Sequence, residues 1–346
     1  MVFHIPGIPG QPIARDNVTC AYTQKLVKFA DMMMPRGHEV YFYGNEGCDV
    51  ECTESYDSYG NPEFMGFDAQ DWIPYNQKAI VDIRKKYRDG DFLLFIGGSA
   101  QSQISTAMGV PNRSVEFGVG YPGVFLPFKV FESYAWMHVV YSEQQGAYAA
   151  NGNFYDTVIN NYFDKTQFED YGGKGDYFLY VGRLIQRKGV EIASQLCEKL
   201  GEQLIIAGEG DECRPEYGEY FGKAGIEERK ELMGNAKALI CPSLYLEPFG
   251  GVHAEALLSG TPVISTDWGV YPESIVNGVN GYRCKTMGDF MYAAQNCDKL
   301  DRSAIQKAAV DRFSLEAIAP QYEAYFNQII DLDDKGFYTE VSHNFG

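Results

Sequence analysis

The sequence predicts an α/β protein with two doubly wound domains, each built around a parallel sheet. Short apolar runs typical of buried strands alternate with amphipathic stretches typical of helices, and this alternation occurs in both halves of the chain. Such a strand-helix-strand order implies parallel strands, because the crossover helix returns the chain to the same end of the sheet. The chain has 346 residues, of which 45% are hydrophobic, and this is enough for two cores.

The first half opens with a β-α-β unit. Residues 2–5 form an apolar run that predicts a strand, and residues 39–43 predict a second strand. Between them, residues 17–34 place apolar side chains at helical spacing, and Asp16 or Asn17 is a suitable N-cap.

Residues 47–75 interrupt this alternation. They are rich in Gly, Asp, Tyr and Pro and show no periodicity, so we interpret them as a long surface loop, either a lid or an acceptor-side loop. The predicted elements that follow are a helix at 77–88, a strand at 92–96, a helix from 97, a strand at 115–117 and a strand near 156–159.

An aromatic segment, residues 128–138, allows two interpretations. In the first it is a helix whose inward face consists of Phe131, Tyr134, Ala135 and His138. In the second, the glycine-rich residues 118–123 are followed by Glu132 and His138 at the carboxyl end of a strand. Open α/β sheets bind ligands at that end, so these side chains would line a cleft.

The second half repeats the alternation with clearer signals. Its predicted strands are residues 177–181, 203–207, 238–241 and 263–266. Its predicted helices are residues 190–200, 226–236, 252–258, one beginning near 272, 288–297, 302–310 and 315–330.

The predicted linker between the domains is residues 160–175, which end in a glycine-rich stretch. We therefore predict a first domain at residues 1–165 and a second at residues 166–315. Residues 316–346 are predicted to form a C-terminal helix and tail that packs back on the first domain.

Residues 240–264 form the stretch around which the second half is organised. They predict a strand end, a loop broken by Pro248 and two glycines, a short helix and a new strand. Glu247 lies in the loop, and Glu255 lies about one turn inside the helix. The first amides of that helix have no intrahelical partner, and Gly250-Gly251 permits close approach to the backbone. We expect a phosphate to bind there.

The formal net charge of −18 is spread evenly, with −9 in residues 1–170 and −9 in residues 171–346. Neither half offers a basic face for a phosphodiester backbone, which disfavours nucleic acid as a main partner. A DNA acceptor with a hydroxymethylated base is not strictly excluded.

The eight cysteines are scattered along the chain, which suits reduced thiols better than a disulfide framework. Cys48 and Cys52 are the only close pair, and no companion Cys or His pair lies nearby at zinc spacing. The first residues lack the layout of a signal peptide, and no run of 18 apolar residues occurs. We expect a soluble, cytoplasmic protein without a transmembrane segment, and peripheral membrane contact stays open.

Five motifs of the second half resemble the donor half of retaining glycosyltransferases of family 4. In chain order, they are Val181-Gly182-Arg183 with Lys188-Gly189, then Ile206-Ala207-Gly208-Glu209-Gly210, then Ala236 with Pro242-Ser243, then Glu247-Pro248-Phe249-Gly250 with Glu255-Ala256 and Gly260-Thr261-Pro262-Val263, and finally Gly269 with Glu273, Gly278 and Gly281. They cover residues 177–285 in the family's order and spacing. The family has the GT-B fold, in which two Rossmann-like domains face each other across a cleft.

The resemblance implies roles for the matching residues. Arg183 and Lys188 would bind the donor's diphosphate, Glu247 would lie at the donor sugar, and Glu255 would hold the ribose hydroxyls. The amides of Phe249, Gly250 and Gly251 would approach the phosphate or sugar. The remaining residues assigned to the nucleotide pocket are Gly208, Tyr220, Phe221 and Tyr245.

The chemistry of the leaving group agrees with these roles. Negative charge develops on a nucleoside diphosphate as its glycosidic bond breaks. Arg183 and Lys188 beside a helix N-terminus would neutralise that charge without a metal. Glu209 and Asp211 follow a strand end near the expected nucleotide pocket, and His253 is interpreted as structural or exposed.

The first domain offers no decisive motif. Family members often place a histidine of this domain near the donor sugar, and His138 is our candidate for this catalytic role, together with Glu247, Arg183 and Lys188. His4, Glu116 and Glu132 are its competitors. Residues 131–138 are similar to a segment of glycosyltransferases from bacteria and large DNA viruses.

The resemblance implies a retaining transferase without cofactor or metal. Its donor would be a UDP- or GDP-sugar and its acceptor a hydroxyl group of a glycan, glycoprotein or lipid-linked sugar. Three other interpretations stay open: a nucleotide-sugar epimerase of the same fold, a phosphorylase, and a catalytically silent module that binds sugar nucleotides. A phosphorylase would need a pyridoxal-binding lysine, for which no motif is visible.

Overall fold

Two compact units make up the part of the chain that the computed structural model describes, residues 1–17, 20–57, 59, 60, 66, 70–145 and 151–335. The first unit comprises Met1–Glu132, Met137–Tyr162 and the described residues from Ile318 on. The second unit comprises Ser133–Trp136 and Phe163–Ala317.

The strands belong to two sheets, one in each unit. They are Val2–Pro6 (β1), Glu39–Tyr43 (β2), Glu54–Tyr56 (β3), Phe92–Phe95 (β4), Ser114–Val119 (β5), Phe128–Phe131 (β6), Thr157–Val158 (β7), Tyr177–Val181 (β8), Gln203–Ala207 (β9), Glu219–Gly222 (β10), Leu239–Cys241 (β11), Val263–Thr266 (β12) and Gly281–Cys284 (β13). The first sheet has the order β3-β2-β1-β4-β5-β6-β7, and the second has the order β10-β9-β8-β11-β12-β13. Every pairing between neighbouring strands is parallel, as the alternation predicts.

The helices are Ala21–Met33 (α1), Trp72–Lys86 (α2), Ser102–Met108 (α3), Tyr134–Gln145 (α4), Val190–Leu200 (α5), Ile226–Asn235 (α6), Gly251–Leu258 (α7), Tyr271–Ser274 (α8), Met287–Ala294 (α9), Arg302–Phe313 (α10) and Leu315–Lys335 (α11). Helices α1 to α8 each connect two consecutive strands, and α9 to α11 follow the last strand. Within the described residues, none of these helices is both long and apolar enough to cross a membrane.

The ends of several second-unit helices follow from their sequence. Thr286 and Asp289 form a capping box at the start of α9, and Asp301 accepts a hydrogen bond from the N–H of Ala304 at the start of α10. Gly201 ends α5 with a φ of 70°, a conformation that glycine adopts at little cost.

Residues of α11 from Ile318 on belong to the first unit. Phe326 is fully buried, and its ring centroid lies 4.8 Å from that of Phe3 and 4.9 Å from that of Phe92. Glu323 pairs with Arg36 at 2.6 Å and with His38 at 2.9 Å. The core of the first unit is therefore assembled from both ends of the described chain.

The structure corrects the prediction of an uninterrupted surface loop at residues 47–75. Glu54–Tyr56 form β3, which pairs with β2 at the edge of the first sheet. The strand is three residues long and half-buried, so it lacks the apolar run by which a central strand is recognised. Residues 58, 61–65 and 67–69 of this stretch lie outside the described residues.

Of the two interpretations of residues 128–138, the first, an inward-packed helix, is wrong for residues 128–131. Phe128–Phe131 form β6, and α4 begins only at Tyr134. The side chain of Ser133 accepts a hydrogen bond from the N–H of Trp136 at 3.1 Å, which explains why the helix starts there. Tyr134 and His138 are exposed rather than packed inward.

Strands β10 and β13 are not predicted from the sequence. Both are edge strands of the second sheet, and each has four residues that include glycine and a charged side chain. Short polar strands of this kind resemble loops in sequence. Residues 18 and 19, near the predicted start of the first helix, lie outside the described residues, and α1 begins at Ala21.

Candidate functional site

The carboxyl ends of three neighbouring strands lie side by side in the second sheet. Val181, the last residue of β8, pairs with Ala207, the last residue of β9, and β11 joins β8 on its other side. Because parallel strands end at the same edge, the loops after β8, β9 and β11 meet there. These loops carry the predicted site residues Arg183, Lys188, Gly208, Tyr245, Glu247, Phe249 and Gly250.

Three donors hold the buried carboxylate of Glu247. Lys188 Nζ lies 2.8 and 3.0 Å from its two oxygens, the Ser243 hydroxyl donates at 3.1 Å and the Tyr245 hydroxyl donates at 2.6 Å. Lys188 and Glu247 are 59 positions apart in sequence, and the fold brings them together at the carboxyl edge of the sheet. Burial and the neighbouring Glu247 raise the pKa of Tyr245, so its hydroxyl keeps its proton and donates.

Two glycines with positive φ leave little space around Glu247. Gly250 has a φ of 68°, and a Cβ at this position would lie 2.6 Å from Glu247 Cγ. Gly269 has a φ of 63°, and a Cβ there would lie 2.6 Å from the backbone nitrogen of Glu247. Both glycines are therefore required by conformation and by space, and the side chain of Glu247 is held in one place.

Helix α7 begins directly after this loop. Gly250 is its N-cap residue, and the first amides of the helix, at Gly251 and Val252, have no carbonyl partner within it. Phe249 is buried, and its ring packs edge-on against Phe313 with centroids 5.9 Å apart. The buried ring fixes the backbone at the start of α7, where an anion would be favoured.

His253 is buried and forms a hydrogen bond with the backbone at the start of α7. Its Nδ1 lies 2.7 Å from the carbonyl oxygen of Gly250, and burial lowers the pKa of His253 to about 4. The imidazole is therefore neutral at ordinary pH, so Nδ1 carries the proton and donates to that carbonyl. This arrangement corresponds to the structural interpretation of His253.

Cationic groups surround Tyr245. The guanidinium of Arg187 lies 4.8 Å from the centre of the Tyr245 ring, and Lys188 Nζ lies 5.1 Å from it. Arg183 is exposed, and among the described residues no side chain or carbonyl accepts a hydrogen bond from its guanidinium. The loop after β8 thus carries three positive charges at the edge where Glu247 lies.

Gly208 follows β9 and lies against the backbone of the neighbouring loop. Its N–H donates to the carbonyl of Gly222 at 2.8 Å, and any side chain at position 208 would collide with the carbonyl oxygen of Gly182. Tyr220 and Phe221 lie on β10, beside β9. The Tyr220 hydroxyl donates to the carbonyl of Pro215 at 2.7 Å, whereas Phe221 is exposed.

Glu255 lies on α7 and pairs with Arg229 of α6. The distances from Arg229 Nη1 to the two carboxylate oxygens are 3.2 and 3.3 Å. The sequence predicts no role for Arg229, because this residue lies in the run Glu227-Glu228-Arg229-Lys230 and such a run is typical of a solvated helix face.

The other missed residues are Ser243 and Glu273. Ser243 belongs to a quoted motif, but its contact with Glu247 is a matter of three-dimensional packing. The carboxylate of Glu273 accepts hydrogen bonds from the N–H groups of Tyr134 and Ala135 at 3.0 and 2.7 Å and so caps the start of α4.

His138, the predicted catalytic histidine, is exposed on α4 within the first unit. Each competitor has partners of its own in that unit. His4 is buried between the Tyr43 hydroxyl and Asp91, at 2.7 and 3.0 Å, and Glu132 pairs with Lys25. Glu116 accepts hydrogen bonds from the N–H groups of Phe125 and Leu126 at 2.8 and 2.9 Å, and burial raises its pKa to about 7. These contacts hold the three competitors in place within the first unit, and the role of His138 stays a prediction.

Two Rossmann-like units with parallel sheets define the GT-B fold, as the resemblance implies. Residues 164–300, which form most of the second unit, match the family of glycosyl transferases group 1. A glycogen synthase of Mycobacterium tuberculosis is 36% identical over 122 residues, which are 31% of this chain and 29% of that relative. The chain therefore spans less than a third of that relative's length.

Solved structures agree on the fold over nearly the whole chain. AviGT4, a glycosyltransferase involved in avilamycin A biosynthesis, has a TM-score of 0.70 and 18% identity, and the match covers 95% of this chain and 98% of that one. HepE of Anabaena, solved in complex with UDP and glucose, has a TM-score of 0.68 and 16% identity, with 94% and 99% covered. Together with the family match, these structures support the prediction of a glycosyltransferase.

Proposed function

We propose that the chain is a retaining glycosyltransferase that moves a sugar from a nucleoside diphosphate donor to a hydroxyl group of a carbohydrate acceptor. The observation that carries this proposal is the arrangement at the carboxyl edge of the second sheet. There the buried Glu247 contacts Lys188 beside the N-terminus of α7, within a domain of the glycosyl transferases group 1 family.

The cations of the loop after β8 are suited to the leaving group. Arg183 is exposed and without an acceptor among the described residues, so its planar guanidinium is available for a diphosphate. Lys188 neutralises Glu247 in the ligand-free protein and would share its charge with the diphosphate as the glycosidic bond breaks. With these two cations and the first amides of α7, we propose that transfer needs no metal ion.

The two glutamates are proposed to bind different parts of the donor. Glu247 is fixed by three donors and two glycines, which suits a group that holds the donor sugar in one orientation. Glu255 lies on α7, eight positions after Glu247. Its carboxylate accepts hydrogen bonds, and ribose hydroxyls could donate to it in the same way. We assign no nucleophilic side chain, since retention can proceed with the departing phosphate as the base.

The donor and acceptor classes rest on similarity. HepE binds UDP and glucose, and UDP or GDP is the donor nucleotide that we propose here. The acceptor is proposed to be a glycan, a glycoprotein or a lipid-linked sugar. The role of His138 beside the donor sugar and a cytoplasmic location are further parts of the proposal.

A screen of UDP-, GDP- and ADP-sugars for nucleotide release tests this function. The wild-type protein should release nucleotide from one donor class, faster with an acceptor than without it, and also in the presence of EDTA. Glu247→Gln and Arg183→Ala should each lower turnover by about 100-fold or more. Glu198→Gln, an exposed change on α5, should leave it unchanged.

Three results would contradict the proposal. Binding of a sugar nucleotide without release from any donor would indicate a silent binding module. Conversion of the donor into its epimer would indicate an epimerase. A product whose anomeric configuration differs from that of the donor, measured by NMR, would exclude a retaining mechanism.

A further inference from the structure

Arg229 is the partner of Glu255 on the face where α6 meets α7. Its Nη1 lies 3.2 and 3.3 Å from the two oxygens of the Glu255 carboxylate. The side chains are 25% and 12% exposed, respectively, so both groups are largely withdrawn from water. Within residues 151–335, no other donor contacts the carboxylate of Glu255.

The two glutamates of the site are therefore held very differently. Three donors and two close glycines fix Glu247, whereas the orientation of Glu255 depends on one arginine. A glutamate side chain has three rotatable bonds, and ordering such a chain costs conformational entropy. Because Arg229 orders the Glu255 side chain in the ligand-free protein, this entropy is already lost before a ligand binds.

The geometry of the pair leaves the carboxylate able to accept further hydrogen bonds. One nitrogen of Arg229 contacts both oxygens, and an ionised carboxylate has about four sites for donors. Two hydroxyls on neighbouring carbon atoms can reach the two oxygens at the same time only when the end of the glutamate side chain is held in position. The contact with Arg229 holds that end of the Glu255 side chain, because one nitrogen lies at nearly equal distances from both carboxylate oxygens.

We propose that Arg229 is a positioning residue that orients Glu255 and thereby sets how strongly the second unit distinguishes ribose from 2′-deoxyribose in a nucleotide. This inference rests on the proposed function, in which Glu255 holds the ribose hydroxyls. Arg229 itself acts through Glu255 and does not contact the nucleotide.

The test compares the affinity for ribonucleotides with that for deoxyribonucleotides. Binding of UDP, GDP and ADP, each with its 2′-deoxy counterpart, is measured by calorimetry with the full chain. The variants are Arg229→Gln, which removes the charge, and Arg229→Lys, which keeps it. Arg283→Gln is the matched control, because Arg283 also forms a 3.2 Å ion pair, with Asp267, and its side chain is 27% exposed.

The wild-type protein should bind its ribonucleotide at least about 10-fold more tightly than the 2′-deoxy form. This ratio corresponds to the loss of one hydrogen bond to a charged group. Arg229→Gln should reduce this ratio to about threefold or less, and Arg229→Lys should restore part of it. Arg283→Gln should leave the ratio unchanged. In a Glu255→Gln background the ratio should be low whether position 229 is Arg or Lys.

A different pattern would overturn the inference. If Arg229→Gln or Arg229→Lys weakened binding of both nucleotide forms equally and preserved their ratio, Arg229 would only stabilise the fold. If the wild-type protein released nucleotide from a donor but did not distinguish the 2′-deoxy form, the inference would fail and the proposed function would stand. If it bound none of the nucleotides, both would fail.

Discussion

Lys188 and Glu247 show how one contact can serve both the free protein and its proposed reaction. Glu247 is buried, and a buried carboxylate is costly unless a cation and hydrogen-bond donors compensate its charge. Lys188 supplies the cation, and Ser243 and Tyr245 supply hydroxyl donors. The positive charge of Lys188, which we propose neutralises the leaving diphosphate, is thus already paired with Glu247 before the donor binds.

Replacing Lys188 should therefore reduce stability as well as function. We expect Lys188→Met to lower the free energy of unfolding by about 1–3 kcal/mol, because the carboxylate of Glu247 loses its cation. Urea denaturation measures this loss. Lys230→Met is the control: Lys230 pairs with Glu169, whose side chain is 54% exposed, so water can solvate the remaining carboxylate. Equal losses in the two variants would show that Glu247 does not depend on Lys188.

Cys48 and Cys52 are half-buried free thiols of the first unit. A hydrogen bond from Cys52 lowers the pKa of Cys48 to about 7, more than the partial burial raises it. Alkylation of Cys48 by iodoacetamide, followed by mass spectrometry, should accelerate as the pH rises through about 7. Cys52→Ala should move this midpoint up towards the ordinary thiol value of about 8.5. An unchanged midpoint in that variant would mean that the two thiols are not hydrogen-bonded.

At the scale of elements, the start of α7 depends on one glycine. Gly250 supplies the positive φ that turns the loop into the helix, and its missing side chain leaves space for Glu247. Gly278 separates the need for a positive φ from the need for space. It has a φ of 75°, but no atom lies within 4 Å of a Cβ placed there.

This comparison gives a prediction for two alanine variants. Gly278→Ala should lower the free energy of unfolding by about 1–2 kcal/mol through backbone strain alone, with nucleotide binding unchanged. Gly250→Ala should cost about 1–3 kcal/mol more, because its methyl group displaces Glu247, and should also abolish turnover. Thermal unfolding and donor turnover test both. Equal effects of the two changes would contradict the proposed steric role of Gly250.

Much of the second unit could be predicted from sequence, because its central strands are continuous apolar runs. The bounds of β8, α5 and β9 are the predicted ones. In contrast, the edge strands β3, β10 and β13 are short and polar, and only pairing with a neighbour distinguishes them from loops.

The site could be predicted as a set of residues but not as a set of contacts. Glu247, Lys188 and Gly250 stand out by motif and residue type, and the structure brings them together. The pairing of Arg229 with Glu255 joins two helices that are distant in sequence, and no local pattern encodes it. The resemblance also offered no firm residue in the first domain, and the structure leaves His138 exposed on α4.

At the scale of the whole molecule, the first unit depends on the described residues of α11 that follow Ala317. Phe326 packs among the aromatic rings of that unit, and Glu323 joins Arg36 and His38 on the same helix face. The hydrogen bond from Arg36, assisted by His38, lowers the pKa of Glu323 to about 2. The last helix is thus held by both apolar packing and charge.

The lowered pKa of Glu323 predicts a dependence of stability on pH. A carboxylate whose pKa falls on folding stabilises the protein above its unfolded pKa of about 4.3, and this contribution is lost as the pH falls towards 2. We expect Glu323→Gln to be less stable than the wild-type protein at pH 6, and the difference should become smaller at pH 3. Urea denaturation at both pH values provides the test. A difference of equal size at pH 3 would show that the ion pair does not contribute.

The confinement of Glu247 between Gly250 and Gly269 has a practical consequence for altering the protein by directed evolution. Variant libraries that randomise the two glycines should return few folded proteins, since a side chain at either position would collide with Glu247. Exposed positions such as Phe221 carry no such restriction. New donor preferences should therefore be selected most readily by diversifying the exposed positions around a constant glutamate.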